Sequence, residues 1–526
     1  MTDRQRLQVA TMILAVCLAC LPAAAGPQDA WVDEANARIE AIRKRDVAVL
    51  VVDGSGTPVP GAAVSAAQTG HRFAFGSVVN GNLVNNSIYS DFFFDHFEWA
   101  VFENQSKWIY NEPIRDHENW SLTEQMYSIL EARGVPVRGH CIFWANETYV
   151  PGWARDLPDN ELQDEIDERI DSAVTRFRNR FVHWDVNNEM LSNHFFENHL
   201  GPSIRPYMFQ QANLFDPDAL LFVNDYSIIA GSSARTDAYI QQIQWLQSQG
   251  APVGGIGVQG HFWGSTVSPT AVLARLDQLA VLNLPVWVTE YDVVNADDQL
   301  RADNLENAYR AAFSHPAVEG ILMWGFWAGS HWRGPDAAIV DEDWTLNAAG
   351  VRYEALMAEW TTAAAGNTGG DGQYPYRGFH GTYDITVDAG DPLQITVDLP
   401  PGPDPAEYMV SLVPGSCFTA GEVRELTLQH DPASGLTTLT WRPLPYRTDM
   451  PMVYDTLRSP DPDNFNIAAT CVESADGSDR IATDPDIPTT GSAFYYLIRG
   501  SHDCPGGEGG LGQRSDGGER VGRVCL

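Results

Sequence analysis

Phe181-Val-His-Trp-Asp-Val-Asn-Asn-Glu189 reads as a buried strand that breaks its apolar pattern with a carboxylate at its C-terminal end. Such a carboxylate wastes burial unless it is used. A second run, Pro285-Val-Trp-Val-Thr-Glu290-Tyr-Asp-Val293, does the same. Working outward, strand-like runs recur from Phe73 onward: Phe73–Val79, Trp99–Glu103, Val135–Trp144, Phe181–Glu189, Leu220–Asn224, Gly255–His261, Pro285–Glu290 and Gly320–Trp327. Amphipathic stretches such as Glu161–Phe177, Thr236–Gln249 and Asn304–Ser314 separate them. This alternation predicts an α/β chain folded as a (β/α)8 TIM barrel. An open doubly wound sheet would need a Gly-rich phosphate turn, and none is present. In a barrel the C-terminal strand ends share one mouth, so Glu189 and Glu290 are expected to converge there.

The flanks carry different signals. Arg4 and Arg6 precede an apolar stretch, Val9 to Leu21, and then Pro22-Ala-Ala-Ala-Gly26. This is the pattern of a secretory signal over residues 1–25, and its apolar core is too short to span a bilayer. The chain is therefore expected to be exported, extracellular or periplasmic. Residues 26–360 are read as the barrel domain, with a β-rich lead-in at about 45–72. The stretch Thr361-Thr-Ala-Ala-Ala-Gly-Asn-Thr-Gly-Gly-Asp-Gly372 has the composition of a linker. Alternating runs such as Tyr383-Asp-Ile-Thr-Val387 predict a β-rich extension over 373–420, and short strands between turns predict a small β-sandwich over 421–526.

The net charge of −36 excludes polyanionic partners, so neither nucleic acid nor an anionic membrane is expected to bind. Lys44 and Lys107 are the only lysines in a chain that otherwise uses arginine, which marks each as a candidate for a specific role. Beyond the signal, the cysteines are Cys141, Cys417, Cys471, Cys504 and Cys525. Four clustered near the end of an exported chain suggest disulfides with three possible connectivities. Proximity favours Cys417–Cys471 and Cys504–Cys525, and Cys141 is read as a buried free thiol. No Cys/His spacing resembles a zinc site, so no metal is expected.

Two carboxylates facing each other across a sugar-sized gap are the minimal machinery for cutting a glycosidic bond; in the retaining variant they stand about 5–5.5 Å apart. The residues around them make the reading specific. Trp184-Asp-Val-Asn-Asn-Glu189 and Val288-Thr-Glu-Tyr-Asp292 resemble the acid/base and nucleophile motifs of family 10 glycoside hydrolases, the endo-β-1,4-xylanases. Glu103-Asn-Gln-Ser-Lys-Trp108, Arg138-Gly-His140, Asn224-Asp-Tyr226, Gly257-Val-Gln-Gly-His261 and Trp324-Gly-Phe-Trp327 fall in the family's order across residues 73–360.

The chain is expected to act as a monomer, and the resemblance implies retaining hydrolysis of xylan without a cofactor. It makes Glu189 the acid/base and Glu290 the nucleophile. Asn188 would bond the sugar 2-hydroxyl, and His261, backed by Asp292, would hold Glu290. Glu103, Asn104, Lys107, His140 and Gln259 would hold sugars on the non-reducing side, and Trp144, Trp324 and Trp332 would form an apolar platform for pyranose faces. Ala145-Asn-Glu147 departs from the commonest family pattern, and the run Phe143-Trp-Ala-Asn-Glu-Thr-Tyr-Val-Pro-Gly-Trp153 is similar to the branch typified by plant members; Asn187 replaces a more usual aliphatic residue. Trp441, Tyr454 and Cys471 carry a further resemblance to fibronectin type III-like modules. Rival expectations are a retaining β-1,4-glucanase on the same barrel and a catalytically silent carbohydrate-binding protein.

Overall fold

The computed structural model describes residues 27–263, 266–390 and 392–413, and parts of 423–525. The segment read as a secretory signal lies outside the described residues. Eight parallel strands close into a barrel: β1 (Ala74–Val79), β2 (Trp99–Phe102), β3 (Val137–Gly139), β4 (Phe181–Asp185), β5 (Leu220–Asp225), β6 (Gly255–Val258), β7 (Val286–Val294) and β8 (Val318–Met323). Each pairs with its neighbour in chain order. β6 pairs with β7 through Ile256↔Val286, and β8 returns to β1 through Gly320↔Ala74. Helices such as Asp159–Arg176 and Ser233–Ser248 bury one face against this sheet, the first through Leu162, Ile166, Ile170 and Ala173, while Asp298–Phe313 is buried almost all round over its second half. Ser232 and Asp297 cap two of them, Ser232 accepting from the Arg235 N–H and Asp297 from the Gln299 and Leu300 N–H groups. The inside of the barrel is filled by Ala74, Val78, Val101, Phe222, Trp287, Leu322 and Trp324, so it is a packed core and not a pore.

The lead-in and the extension correct the expected domain plan. Lys44–Val52 pairs antiparallel with Gln373–Phe379 and parallel with Ala406–Ser411, while Ala63–His71 lies between Ala363–Asn367 and Gly381–Asp388. Residues from both sides of the barrel sequence therefore build one two-sheet body around Val47, Val49, Val64, Tyr383, Ile385, Leu399 and Tyr408. Ala363–Asn367, expected as linker, is a strand of that body. Small residues read as flexible only when no sheet edge is near; here the edge of Ala63–His71 takes their backbone hydrogen bonds.

Beyond residue 423, two three-stranded sheets enclose Leu439, Trp441, Tyr454 and Ile498. A disulfide joins Cys471 to Cys525. This corrects both expected pairs, because folding brings the strand carrying Cys471 to a segment 54 residues away. Cys417 and Cys504 lie outside the described residues. Cys141 is a buried free thiol, as its isolation in the sequence predicts. Among the described residues no helix is long and apolar enough to cross a membrane.

Candidate active site

Both glutamates reach the barrel mouth through irregular backbone, and the irregularity has a local cause. Glu189 follows β4 with φ of 62°, a left-handed conformation that costs a non-glycine residue about 1 kcal/mol. Its N–H donates to the Asn224 carbonyl at 2.9 Å, and its carbonyl accepts from Asn193 N–H at 3.1 Å. The side chain is thereby turned out of the strand and into a cleft. Glu290 lies within β7. There Val288 pairs with Ile321 but Tyr291 with Met323, so β7 carries one extra residue. In a regular strand Thr289 and Glu290 would point to opposite faces; with the bulge both reach Asn224.

Asn224, at the end of β5, organises the site. Its Nδ2 donates to Glu290 Oε1 at 2.7 Å and to Asn188 Oδ1 at 3.0 Å, while its Oδ1 accepts from Thr289 Oγ1 at 2.6 Å. Gly257 on the neighbouring strand makes room for it, because a Cβ there would stand 2.5 Å from Asn224 Oδ1. Gln259 ties the two carboxylates together. It donates Nε2 to Glu189 Oε1 at 3.1 Å, and its carbonyl accepts from Glu290 N–H at 2.7 Å. The other oxygen of Glu189 accepts from Asn193 Nδ2 at 3.1 Å.

Two histidines flank Glu290. His261 Nε2 is 3.2 Å from its Oε2, and His261 Nδ1 is 3.0 Å from Asp292 Oδ1. His140 Nδ1 is 4.0 Å from Glu290 Oε1 and 2.8 Å from Asp185, which also pairs with the buried Arg138. The electrostatic result splits the pair. Burial pushes Glu290 up, but His140, the hydrogen bond and charge of His261, and Lys107 together outweigh it and carry it down to about 2. Burial raises Glu189 above its ordinary range; the hydrogen bond from Gln259 works against this and the charge of Glu290 adds to it. Burial pushes His261 down, yet Asp292 and Glu290 carry it up to about 9, so it stays cationic at neutral pH. One carboxylate is held ionised and the other is biased toward its acid form, the division that general-acid and nucleophilic roles require.

The structure gathers the expected residues in a cleft of about 440 Å³. Glu103, Asn104, Lys107, His140, Trp144, Asn188, Glu189, Gln259, His261, Glu290, Trp324 and Trp332 all line it. Asp292 does not line it; it sits beneath, accepting from Trp332 Nε1 at 2.8 Å and pairing with Arg333. Lys107 donates to Asn104 Oδ1 at 3.1 Å, and Glu103 accepts from Asn80 at 3.0 Å. Trp144 already carries two partners, Tyr149 stacked at 3.7 Å and the Lys107 ammonium 4.7 Å from the ring centroid. Asn224, Thr289 and Tyr149 stand in motifs the sequence shows but without a role there, and Asn193 and Arg333 carry no signal of theirs in the sequence. Only the polar run at the end of β5 hinted at Asn224. Among the described residues, Glu112, Asp116 and Glu165 are close enough to share a cation. They are not cleft residues, and Glu112 is engaged by Trp108 and the Asp116 N–H, Glu165 by Arg115.

An eight-stranded barrel whose mouth holds two differently tuned glutamates defines a class of carbohydrate-cleaving folds. Residues 64–354, more than half of the chain, match glycosyl hydrolase family 10, and the chain belongs to that family. It is similar to the anti-sigma-I factor RsgI6 of Acetivibrio thermocellus, with 51% identity over 357 residues covering 68% of this chain and 46% of that protein. It also resembles endo-1,4-beta-xylanase 1 of Arabidopsis thaliana, at 38% over 348 residues, 66% of this chain and 36% of the relative. The chain thus spans less than half the length of these two relatives. Among solved structures, xylanase 10B from Thermotoga petrophila RKU-1 in complex with xylobiose superposes with a TM-score of 0.51 and 27% identity, over 55% of this chain and 94% of that one.

Proposed function

We propose that this chain is an exported endo-β-1,4-xylanase that hydrolyses internal xylosidic bonds with net retention. The observation that carries the reading is the opposed tuning of Glu189 and Glu290 across one Asn224–Gln259 network. In the first step Glu290 attacks the anomeric carbon. The bond to the leaving oxygen breaks as Glu189 gives that oxygen its proton. The glycosyl-enzyme removes the charge on Glu290 and with it part of what holds Glu189 protonated, so Glu189 can then take a proton from water. That water attacks the anomeric carbon, the ester bond to Glu290 breaks, and two inversions leave a β product. Asn188 would hold the 2-hydroxyl of the reacting sugar, a contact that tightens as the oxocarbenium forms.

Residues 421–526 fit the same proposal as a fibronectin type III-like appendage, a reading supported by two three-stranded sheets about Trp441 and Tyr454. The rival readings are a glucanase on the same barrel and a carbohydrate-binding protein without turnover. Reducing-sugar assays on xylan, carboxymethyl cellulose and barley glucan, run side by side, separate these possibilities. Xylan as the best substrate supports the proposal; release from glucan alone makes the chain a glucanase, and no release from any makes it a binder. Proton NMR of fresh hydrolysate tests the mechanism, since an α anomer appearing first rejects retention.

A further inference from the structure

Trp263 has no part in the chemistry above, yet it lines the same cleft as Glu189 and Glu290. It ends the short strand His261–Trp263, two residues beyond the histidine that holds Glu290. The side chain is 72% exposed. A tryptophan left this open forgoes the burial energy of a large flat surface unless something flat covers it. The ring is also seated. The Arg333 guanidinium lies 3.7 Å from its centroid, and Arg333 is itself nearly buried and pinned by Asp292. The same Asp292 receives Trp332 Nε1 and faces His261. One carboxylate therefore fixes the imidazole against Glu290 and, through Arg333, a second indole beside Trp332. A platform held this way costs a ligand little ordering entropy.

We propose that Trp263 is a sugar-binding residue whose open face stacks on a pyranose ring next to the reacting one, with Arg333 as the positioning residue that seats it. The inference rests on the polysaccharide reading proposed above and extends the platform expected from Trp144, Trp324 and Trp332. Pyranose C–H faces pack on an indole without any polar group having to be matched, so the position selects ring over linkage.

The test uses the full chain carrying Glu290→Gln, so that ligand is bound and not consumed. Xylohexaose is titrated calorimetrically into this protein and into the same protein with Trp263→Ala or Trp263→Phe, each checked for an unchanged melting temperature. Trp263→Ala is expected to weaken binding at least about fivefold, and Trp263→Phe, which keeps a flat face, to recover most of it. Equal affinity in the alanine variant overturns the assignment, as does an equal loss in both variants. Failure of the Glu290→Gln protein itself to bind xylohexaose overturns the polysaccharide reading instead, and the inference falls with it.

Discussion

Asn224 donates its side-chain amide to Glu290 Oε1 at 2.7 Å, a buried contact that holds this carboxylate from another barrel strand. The same nitrogen reaches Asn188 Oδ1, so the groups assigned to the anomeric carbon and to the 2-hydroxyl share one anchor. The Asn224 carbonyl meanwhile holds the N–H of Glu189 in its left-handed turn. Asn224→Ala would leave Glu290 with one hydrogen bond fewer and a void at its back. The expected outcome is a fall in kcat of about 10²-fold with KM changed far less, because the lost contact orients the nucleophile and does not touch bound sugar. Steady-state kinetics on xylan check this; a loss confined to KM would return Asn224 to substrate binding.

Glu290→Gln keeps the shape of the side chain but cannot attack carbon. Turnover should fall by at least about 10³-fold while xylan binding persists. Activity within about tenfold of the parent would remove Glu290 from the nucleophile's role. Glu189→Ala should slow poor leaving groups far more than activated aryl ones, and azide should restore the rate as a β-glycosyl azide. Product analysis by NMR decides.

The pH profile of kcat/KM tests His261. Glu290 must be ionised to attack, so activity is lost as pH falls through its value of about 2. Glu189 must be protonated, so activity is lost again as pH rises through its raised value. Removing a cationic partner favours the protonated carboxyl. His261→Asn is therefore expected to move the acid limb upward by about one unit or more, with the alkaline limb less affected. An acid limb that stays in place would mean that His261 only packs against Glu290.

Lys107 donates to Asn104 and lies over Trp144, a fit for a compact ammonium. A planar guanidinium cannot take the same donors to the same hydroxyls. Lys107→Arg should lower kcat/KM on short xylo-oligosaccharides about tenfold more than on polymer, since the polymer has further contacts to make up the loss. Parallel assays on xylotriose and xylan measure the difference, and equal effects on both would argue against a role in sugar binding.

The barrel and the two candidate carboxylates, Glu189 and Glu290, are written in local sequence. Period-two apolar runs alternating with amphipathic helices are local patterns, and a polar residue closing such a run is visible without neighbours. Glu189 and Glu290 were legible for that reason. How they are tuned depends on contacts between distant segments. Asn224 and Thr289 lie on different strands and Gln259 just past the end of a third, and a bulge of one residue in β7 turns Thr289 and Glu290 to the same partner; no spacing in the chain records that shift. The same limit explains the two corrections elsewhere. Ala363–Asn367 looked like linker because its composition lacks side chains that bury, yet it pairs with Ala63–His71 through backbone groups that every sequence carries. Cys471 found Cys525 because a disulfide forms between Cα atoms brought within reach, here 5.8 Å, and sequence proximity does not set that distance. Local propensity is written residue by residue; register, long-range pairing and electrostatic environment arise only where distant segments meet.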